Sequence, residues 1–151
     1  MTTLVIDASV AIKWVVPEEG SEAATAIKAR ARLIAPELLL PECANILWKK
    51  VQRGELSRDE AVLAARLLLV ANIELLSTRP LIEPATRIAV ELQHPAYDCT
   101  YLALAQAQNC RFVTADERLL RRLAQADASA YRDQAASLSE TAAALAGSTP
   151  Q

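Results

Sequence analysis

Two apolar stretches of the chain each end in an aspartate. Asp7 follows the stretch 4–6, and Asp116 follows the stretch 112–115. A carboxylate beside a buried strand is costly unless water, a partner group or a cation compensates its charge. Each aspartate is therefore either the N-cap of a following helix, which is a common role for Asp, or part of a site.

Two more carboxylates fall in the first turn of predicted helices. Glu42 follows Pro41, and Asp98 opens a helix whose other residues, 99–109, carry no charge. For each one alone, interaction with the helix dipole is the simpler explanation. Four carboxylates that met in one crevice, however, would repel one another unless a hard cation bound them. Oxygen ligands without His or Cys are typical of magnesium or manganese, and the candidate ligands are Asp7, Glu42, Asp98 and Asp116.

Such a site has a definite chemistry. A divalent cation can activate water and stabilise charge on a phosphate, as in metal-dependent phosphodiester cleavage. The side chains of Ser9, Asn45 and Thr114 can orient ligands or water, and each can equally be a local backbone cap. His94 lies in a predicted loop and is interpreted as having no role in the site. The candidates for contacts with the phosphates of a single strand are Lys13, Lys49, Arg118, Arg121 and Arg122, for which solvated helix faces are the alternative.

The elements that must position these residues alternate between strand and helix. Strands are predicted at 3–6, 33–35, 73–77 and 111–114, and helices at 8–16, 22–32, 41–53, 58–71, 81–93, 97–109 and 117–125. This alternation is typical of a parallel sheet with helices on both faces, in which ligands bind beyond the carboxyl ends of the strands. We predict an α/β three-layer sandwich with a short sheet of about four to five strands, and Asp7 and Asp116 at its carboxyl edge.

Length and composition suit one soluble domain. The chain has 151 residues, of which 52% are hydrophobic and 23% charged, and its net charge of −2 gives nucleic acid no general attraction. We assign residues 1–127 to the nuclease-like domain and residues 128–151 to a partly ordered, Ala/Ser-rich extension. The 3 cysteines lack metal-binding spacing, and no apolar run is long enough to span a membrane. A cytoplasmic protein without membrane contact is therefore expected.

Four segments of the sequence resemble the characteristic blocks of PIN-domain ribonucleases, and most closely those of VapC-type toxins from bacterial toxin–antitoxin pairs. The segments are VIDASVAIKWVVPEE, PELLLPECANILWKK, AYDCTYLALAQ and FVTADERLL, and the likeness runs from Leu4 to about Leu123. In that family the acidic residue of each block contributes to a magnesium or manganese site. The resemblance maps this role onto Asp7, Glu42, Asp98 and Asp116, with Thr114 at the family's hydroxyl position. It implies a metal-dependent endoribonuclease that cleaves single-stranded RNA and has a cognate antitoxin.

Apolar residues on the first helix and on the helical hairpin 41–71 exceed what a small monomer needs. They predict a homodimer face or a groove for the antitoxin.

Two other functions stay open at this point. One is a phosphoryl-transfer domain with Asp7 as nucleophile, although Ser9 stands where phosphatases of that type carry a second Asp, and no lysine follows Lys50 as a receiver domain requires. The other is a binding module that kept the fold and lost the chemistry.

Overall fold

A sheet of five parallel strands forms the centre of the computed structural model, which describes residues 1–148. The strands are β1 (Thr2–Ile6), β2 (Ala31–Pro36), β3 (Glu74–Leu76), β4 (Arg111–Thr114) and β5 (Ala135–Ser137), in the order β3-β2-β1-β4-β5. Strand β1 lies in the middle, and Val5 and Ile6 are completely buried there. Their β-branched side chains suit a strand that is covered on both faces. The predicted α/β sandwich is confirmed.

Helices cover both faces of this sheet. They are α1 (Ala8–Ala11), α2 (Ser21–Arg30), α3 (Leu39–Gln52), α4 (Arg58–Leu69), α5 (Ile82–Leu92), α6 (Ala96–Ala107), α7 (Glu117–Leu123), α8 (Ser129–Arg132) and α9 (Leu138–Gly147). Helix α6 packs against β1, β2 and β4, and all its residues from Cys99 to Ala105 are buried. Its burial explains why this helix carries no charge after its first turn.

The predicted strands and helices agree with the structure within two residues at either end, except for the helix predicted at 8–16. The helix predicted at 8–16 is wrong in its extent, because α1 ends at Ala11 and a 3₁₀ turn, Ile12–Trp14, follows it. The β-branched Val15 and Val16 precede Pro17, which disfavours helical geometry in the residue before it. Helix α3 begins at Leu39, two residues before the predicted start. Its Pro41 lies in the first turn, where a missing N–H breaks no helical hydrogen bond.

The C-terminal part of the described chain completes the sheet. Strand β5 pairs with β4, with Ala136 opposite Val113. Ser137 caps α9 by accepting a hydrogen bond from the Glu140 N–H, and α9 packs against α2. The predicted extension 128–151 thus contains a strand and helices, and its residues 149–151 lie outside the described part. The domain boundary at residue 127 stays a prediction.

Apolar surface is distributed differently from the expectation. Most apolar residues of the predicted first helix are buried in the core, and only Trp14 and Val15 are partly exposed, so this segment offers little apolar surface to a partner. The α3–α4 hairpin does expose large apolar side chains, with Trp48 53% and Leu63 55% accessible. Among residues 1–148, no helix combines the length and apolar character needed to cross a membrane.

Candidate active site

Asp7 lies just beyond the carboxyl end of β1 and is only 6% exposed. One carboxylate oxygen accepts hydrogen bonds from the Ser9 hydroxyl at 2.5 Å and the Val10 N–H at 3.3 Å, and so caps α1. The other oxygen accepts from the Thr114 hydroxyl at 2.5 Å. Burial raises the pKa of Asp7 to about 7, the charge of Asp98 adds to the rise, and the three hydrogen bonds oppose it. Asp7 is therefore both a cap and a buried carboxylate with a like charge nearby.

The hydroxyls of Ser9 and Thr114 join the ends of β1 and β4. Besides donating to Asp7, Ser9 accepts from the Ala115 N–H at 2.9 Å, and Thr114 accepts from the Asp116 N–H at 3.0 Å. The two hydroxyl oxygens are 3.3 Å apart. These bonds hold the Asp7 carboxylate in a fixed orientation, which is one of the two roles that the sequence left open for each hydroxyl.

Glu42 lies in the first part of α3 and is half-buried. It accepts a hydrogen bond from the Tyr101 hydroxyl, which belongs to the fully buried face of α6. Burial raises the pKa of Glu42, and the charge of Asp98 raises it further against the effect of the tyrosine hydrogen bond. Sequence reasoning missed Tyr101, although its position three residues after Asp98 on an uncharged helix places both on one helix face.

Asp98 lies in the first turn of α6. Only residues 108–110 separate the end of α6 from the start of β4, so α6 ends at the amino edge of the sheet and begins at the carboxyl edge. The Oδ2 atom of Asp98 is 2.6 Å from the Nε2 atom of His94, which precedes the helix. His94 lies outside the helices as predicted, and it also contacts one oxygen of a candidate ligand, which the sequence interpretation did not include.

Asp116 has a different environment from the other three carboxylates. Its Oδ1 atom accepts from the backbone N–H groups of Arg118 and Leu119 and so caps α7. It connects to Asp7 through Thr114, whereas Asp98 shifts the pKa of both Asp7 and Glu42 directly. Within residues 1–148, no three His, Cys, Asp or Glu side chains are already arranged to hold a metal ion. The ligand set of four stays a prediction.

The cysteines beside the site are not candidate ligands. Burial raises the pKa of Cys43 to about 12, with the charges of Asp7 and Glu42 adding to it, and burial raises the pKa of Cys99 to about 11. Both thiols are therefore protonated at neutral pH in the metal-free protein, and thiolates are not the ligands that magnesium or manganese prefers. The carboxylate oxygens of this crevice fit a hard divalent cation.

The remaining candidate residues are spread more widely. Three of them are exposed: Asn45, Lys49 and Arg118. The Lys13 ammonium lies 3.0 Å from the Glu18 carboxylate, and the Arg121 guanidinium lies 3.9 Å from the Glu117 carboxylate. The guanidinium of Arg122 is occupied within the fold. It donates to the Leu92 carbonyl at 2.6 and 3.0 Å and pairs with Asp127 at 2.9 Å, which ties α7 to the end of α5.

Removing the Tyr101 hydroxyl with Tyr101→Phe should destabilise the metal-free protein by about 1–3 kcal/mol, since a half-buried Glu42 oxygen loses its donor. Urea unfolding in EDTA measures the change. Tyr97→Phe is the matched control, because Tyr97 is on the same helix and 67% exposed. Equal unfolding midpoints for the two variants would show that the Tyr101–Glu42 bond contributes nothing.

Known proteins are similar to this chain in sequence. The model of the PIN domain family matches residues 4–126. Ribonuclease VapC3 of Pyrobaculum aerophilum is 34% identical over 119 residues, which cover 77% of this chain and 91% of that protein. Ribonuclease VapC9 of Mycobacterium tuberculosis is 35% identical over 119 residues, which cover 77% and 87%.

Solved structures share the fold. PAE2754 from Pyrobaculum aerophilum superposes with a TM-score of 0.72 and 25% identity over 97% of this chain and 90% of that one. VapBC2 from Rickettsia felis, solved bound to a DNA fragment from its promoter, superposes with a TM-score of 0.57 and 12% identity over 80% and 92%.

Proposed function

Since the chain belongs to the PIN-domain family and is a VapC-type ribonuclease, we propose that it cleaves single-stranded RNA internally and that Asp7, Glu42, Asp98 and Asp116 bind the Mg²⁺ or Mn²⁺ that the reaction requires. Asp7 is the observation that carries this proposal. It is buried, and both its burial and the charge of Asp98 disfavour its ionised form. A bound divalent cation would offset this unfavourable charge, and oxygen donors suit it.

The residues around the carboxylates have distinct tasks in this proposal. Ser9 and Thr114 hydrogen-bond both oxygens of Asp7, which favours its charged form and fixes its direction. Tyr101 donates a hydrogen bond to one oxygen of Glu42, and His94 lies within hydrogen-bonding distance of one oxygen of Asp98, so both carboxylates are fixed in direction. The cation, when bound, supplies activation of the attacking water and compensation of charge on the phosphate.

The proposed contacts with RNA fall on both sides of the carboxylates. Lys13 and Lys49 lie on the side of α1 and α3, and Arg118 and Arg121 on α7. Their charges attract phosphates, which an acidic centre alone would repel. We retain Arg122 as an indirect contributor, because its guanidinium holds α7 in position.

The test of this function is cleavage of a circular single-stranded RNA. A circle has no ends, so only internal cleavage linearises it. We expect linear products with magnesium or manganese and none with EDTA. If the RNA circle stays intact with every divalent cation while a linear RNA shortens from its ends, the protein is an exonuclease and the proposal of internal cleavage is wrong.

We also propose a small antitoxin and a second copy of the chain as partners, supported by the exposed apolar side chains of the α3–α4 hairpin and by the VapC-type family. Co-expression with the small protein encoded next to this chain should give a co-purifying complex. Light scattering of the chain alone should give twice the 16.3 kDa mass of one chain. A Leu63→Glu variant should weaken the dimer, the complex with the antitoxin or both. Light scattering that shows only monomer for the wild-type chain at micromolar concentration would exclude the dimer.

A further inference from the structure

A basic cavity opens directly beside the hydrogen-bond network of Asp7. It has a volume of about 320 Å³, and one wall contains Ser9 and Ala115, whose hydrogen bond joins the ends of β1 and β4. We call this cavity the Glu18 pocket. The charged residues of its other walls are Lys13, Glu18, Lys49, Lys50 and Arg53. Four cations and one carboxylate give a local charge of +3, in a chain whose net charge is −2.

Glu18 holds two of these cations at one point. The Lys13 ammonium lies 3.0 Å from one of its carboxylate oxygens, and the Lys50 ammonium lies 2.7 Å from the other. Burial opposes the charged form, but hydrogen bonds from Lys50 and Lys13 outweigh it and keep the pKa of Glu18 below its ordinary value. Because Lys13 comes from the turn after α1 and Lys50 from α3, the carboxylate links two separate elements.

A phosphodiester resembles this carboxylate in the features that the lysines contact. It has one negative charge shared by two outer oxygens, and each ammonium has three donors, so it can bond to more than one acceptor. Lys49 and Arg53 add charge from exposed positions on the same wall. The partly buried ion pairs with Glu18 account for Lys13 and Lys50, but not for Lys49 and Arg53, whose exposed charges contribute little to folding stability.

We propose that the Glu18 pocket binds a backbone phosphate of the nucleic-acid strand next to the cleaved bond, and that Glu18 competes with this phosphate for Lys13 and Lys50. The identity of the strand as RNA rests on the proposed function, whereas phosphate binding in the pocket does not require cleavage. Glu18 then limits how tightly the strand is held, which favours release of the cut product.

The experiment measures binding of a fluorescein-labelled RNA hexanucleotide in EDTA, where no cleavage occurs. Glu18→Gln should tighten binding about 3- to 10-fold, because Lys13 and Lys50 lose the carboxylate that they share, and Glu55, 3.7 Å from Lys50, is a longer and more exposed partner. Lys49→Ala and Arg53→Ala should each weaken it about 3- to 10-fold and lower the slope of log affinity against log salt by about 0.7 for each lost phosphate contact. A DNA hexanucleotide of the same sequence should show equal fold-changes, since the contact is to phosphate.

Arg111→Ala is the matched control, because Arg111 is exposed and begins β4 at the opposite edge of the sheet. It should change affinity less than twofold. The proposal would be overturned if Glu18→Gln weakened RNA binding. It would also be overturned if Lys49→Ala and Arg53→Ala changed the affinity for RNA no more than Arg111→Ala does. Inorganic pyrophosphate is a second probe, and it should displace the RNA from wild type more weakly than from Glu18→Gln. This pattern without RNA cleavage in magnesium would refute the proposed function and leave the pocket supported.

Discussion

Replacement of Asp7 or Asp98 by asparagine is expected to lower the rate of RNA cleavage by about a hundredfold or more. Each change keeps the size of the side chain and removes one negative charge from the carboxylates that we propose as ligands. Loss of a ligand affects both the activation of water and the compensation of charge on the phosphate, and effects of this kind on catalysis commonly reach that size. The initial rate of linearisation of the RNA circle, at saturating magnesium, measures the loss.

Asp59→Asn is the control for this prediction. Asp59 lies in the first turn of α4, and its change removes a helix-start carboxylate that is exposed and away from β1. Its rate should equal that of wild type. Full activity in either Asp7→Asn or Asp98→Asn, with a folded variant, would remove that residue from the proposed site.

The Asp116→Asn variant, measured in the same experiment, distinguishes a helix-capping role of Asp116 from a metal-binding role. Asparagine caps helices about as well as aspartate, so the stability of α7 should change by no more than a few tenths of a kcal/mol. A loss of activity of tenfold or more with unchanged stability therefore reports a role for the Asp116 charge. An active variant would restrict the proposed ligands to the three carboxylates that the structure couples electrostatically.

Magnesium or manganese is expected to raise the melting temperature of the protein by about 5–10 °C when present at a hundredfold excess over its dissociation constant. A cation that binds only the folded state stabilises it by about 2.7 kcal/mol under that condition, and 1 kcal/mol corresponds to about 2–4 °C for a chain of this size. Sodium at matched ionic strength should not produce this shift. Melting curves with EDTA, sodium and magnesium make the comparison.

The same measurement should depend on pH because of Asp7. Its pKa is about 7 in the folded protein, raised from 3.8 mainly by burial. Between these values the folded protein holds a proton that the unfolded chain has released, so metal-free stability falls as the pH rises from about 4 to about 7. A cation competes with that proton, and the metal-induced shift should therefore be larger at pH 8 than at pH 6. A shift that does not change with pH would mean that Asp7 does not bind the cation.

Asp98→Asn should stabilise the metal-free protein and reduce the metal-induced shift. It removes a charge that raises the pKa of both Asp7 and Glu42, and an amide can still accept a hydrogen bond from His94. Asp59→Asn should do the opposite in EDTA, since it only loses a favourable helix-dipole interaction. An Asp98→Asn variant that melts lower than wild type in EDTA would identify Asp98 as a simple dipole partner.

Local sequence was sufficient to predict the elements and the edge at which the carboxylates lie. The β-branched stretch before Asp7 and the uncharged stretch after Asp98 each predict that their own segment is buried. This signal can be read from neighbouring residues alone. The order of strands and helices then places strand ends and helix starts at one edge. For these reasons the predicted fold class is confirmed. The differences lie at element ends such as that of α1 before Pro17, and in the C-terminal part, where β5, α8 and α9 were not among the predicted elements.

Contacts between distant residues were decided only by the tertiary structure. The hydrogen bond of Tyr101 to Glu42 spans 59 positions, that of Ser9 to Ala115 spans 106, and the ion pair of Glu18 with Lys50 spans 32. Each depends on how two elements pack, and no local pattern encodes that packing. The parallel register that sets Ile6 beside Val113 brings Thr114 within hydrogen-bonding distance of Asp7. Asp7 is thus recognisable from its own strand, but the groups that hold it in place come from β4 and are near it only because the two strands pair in that register.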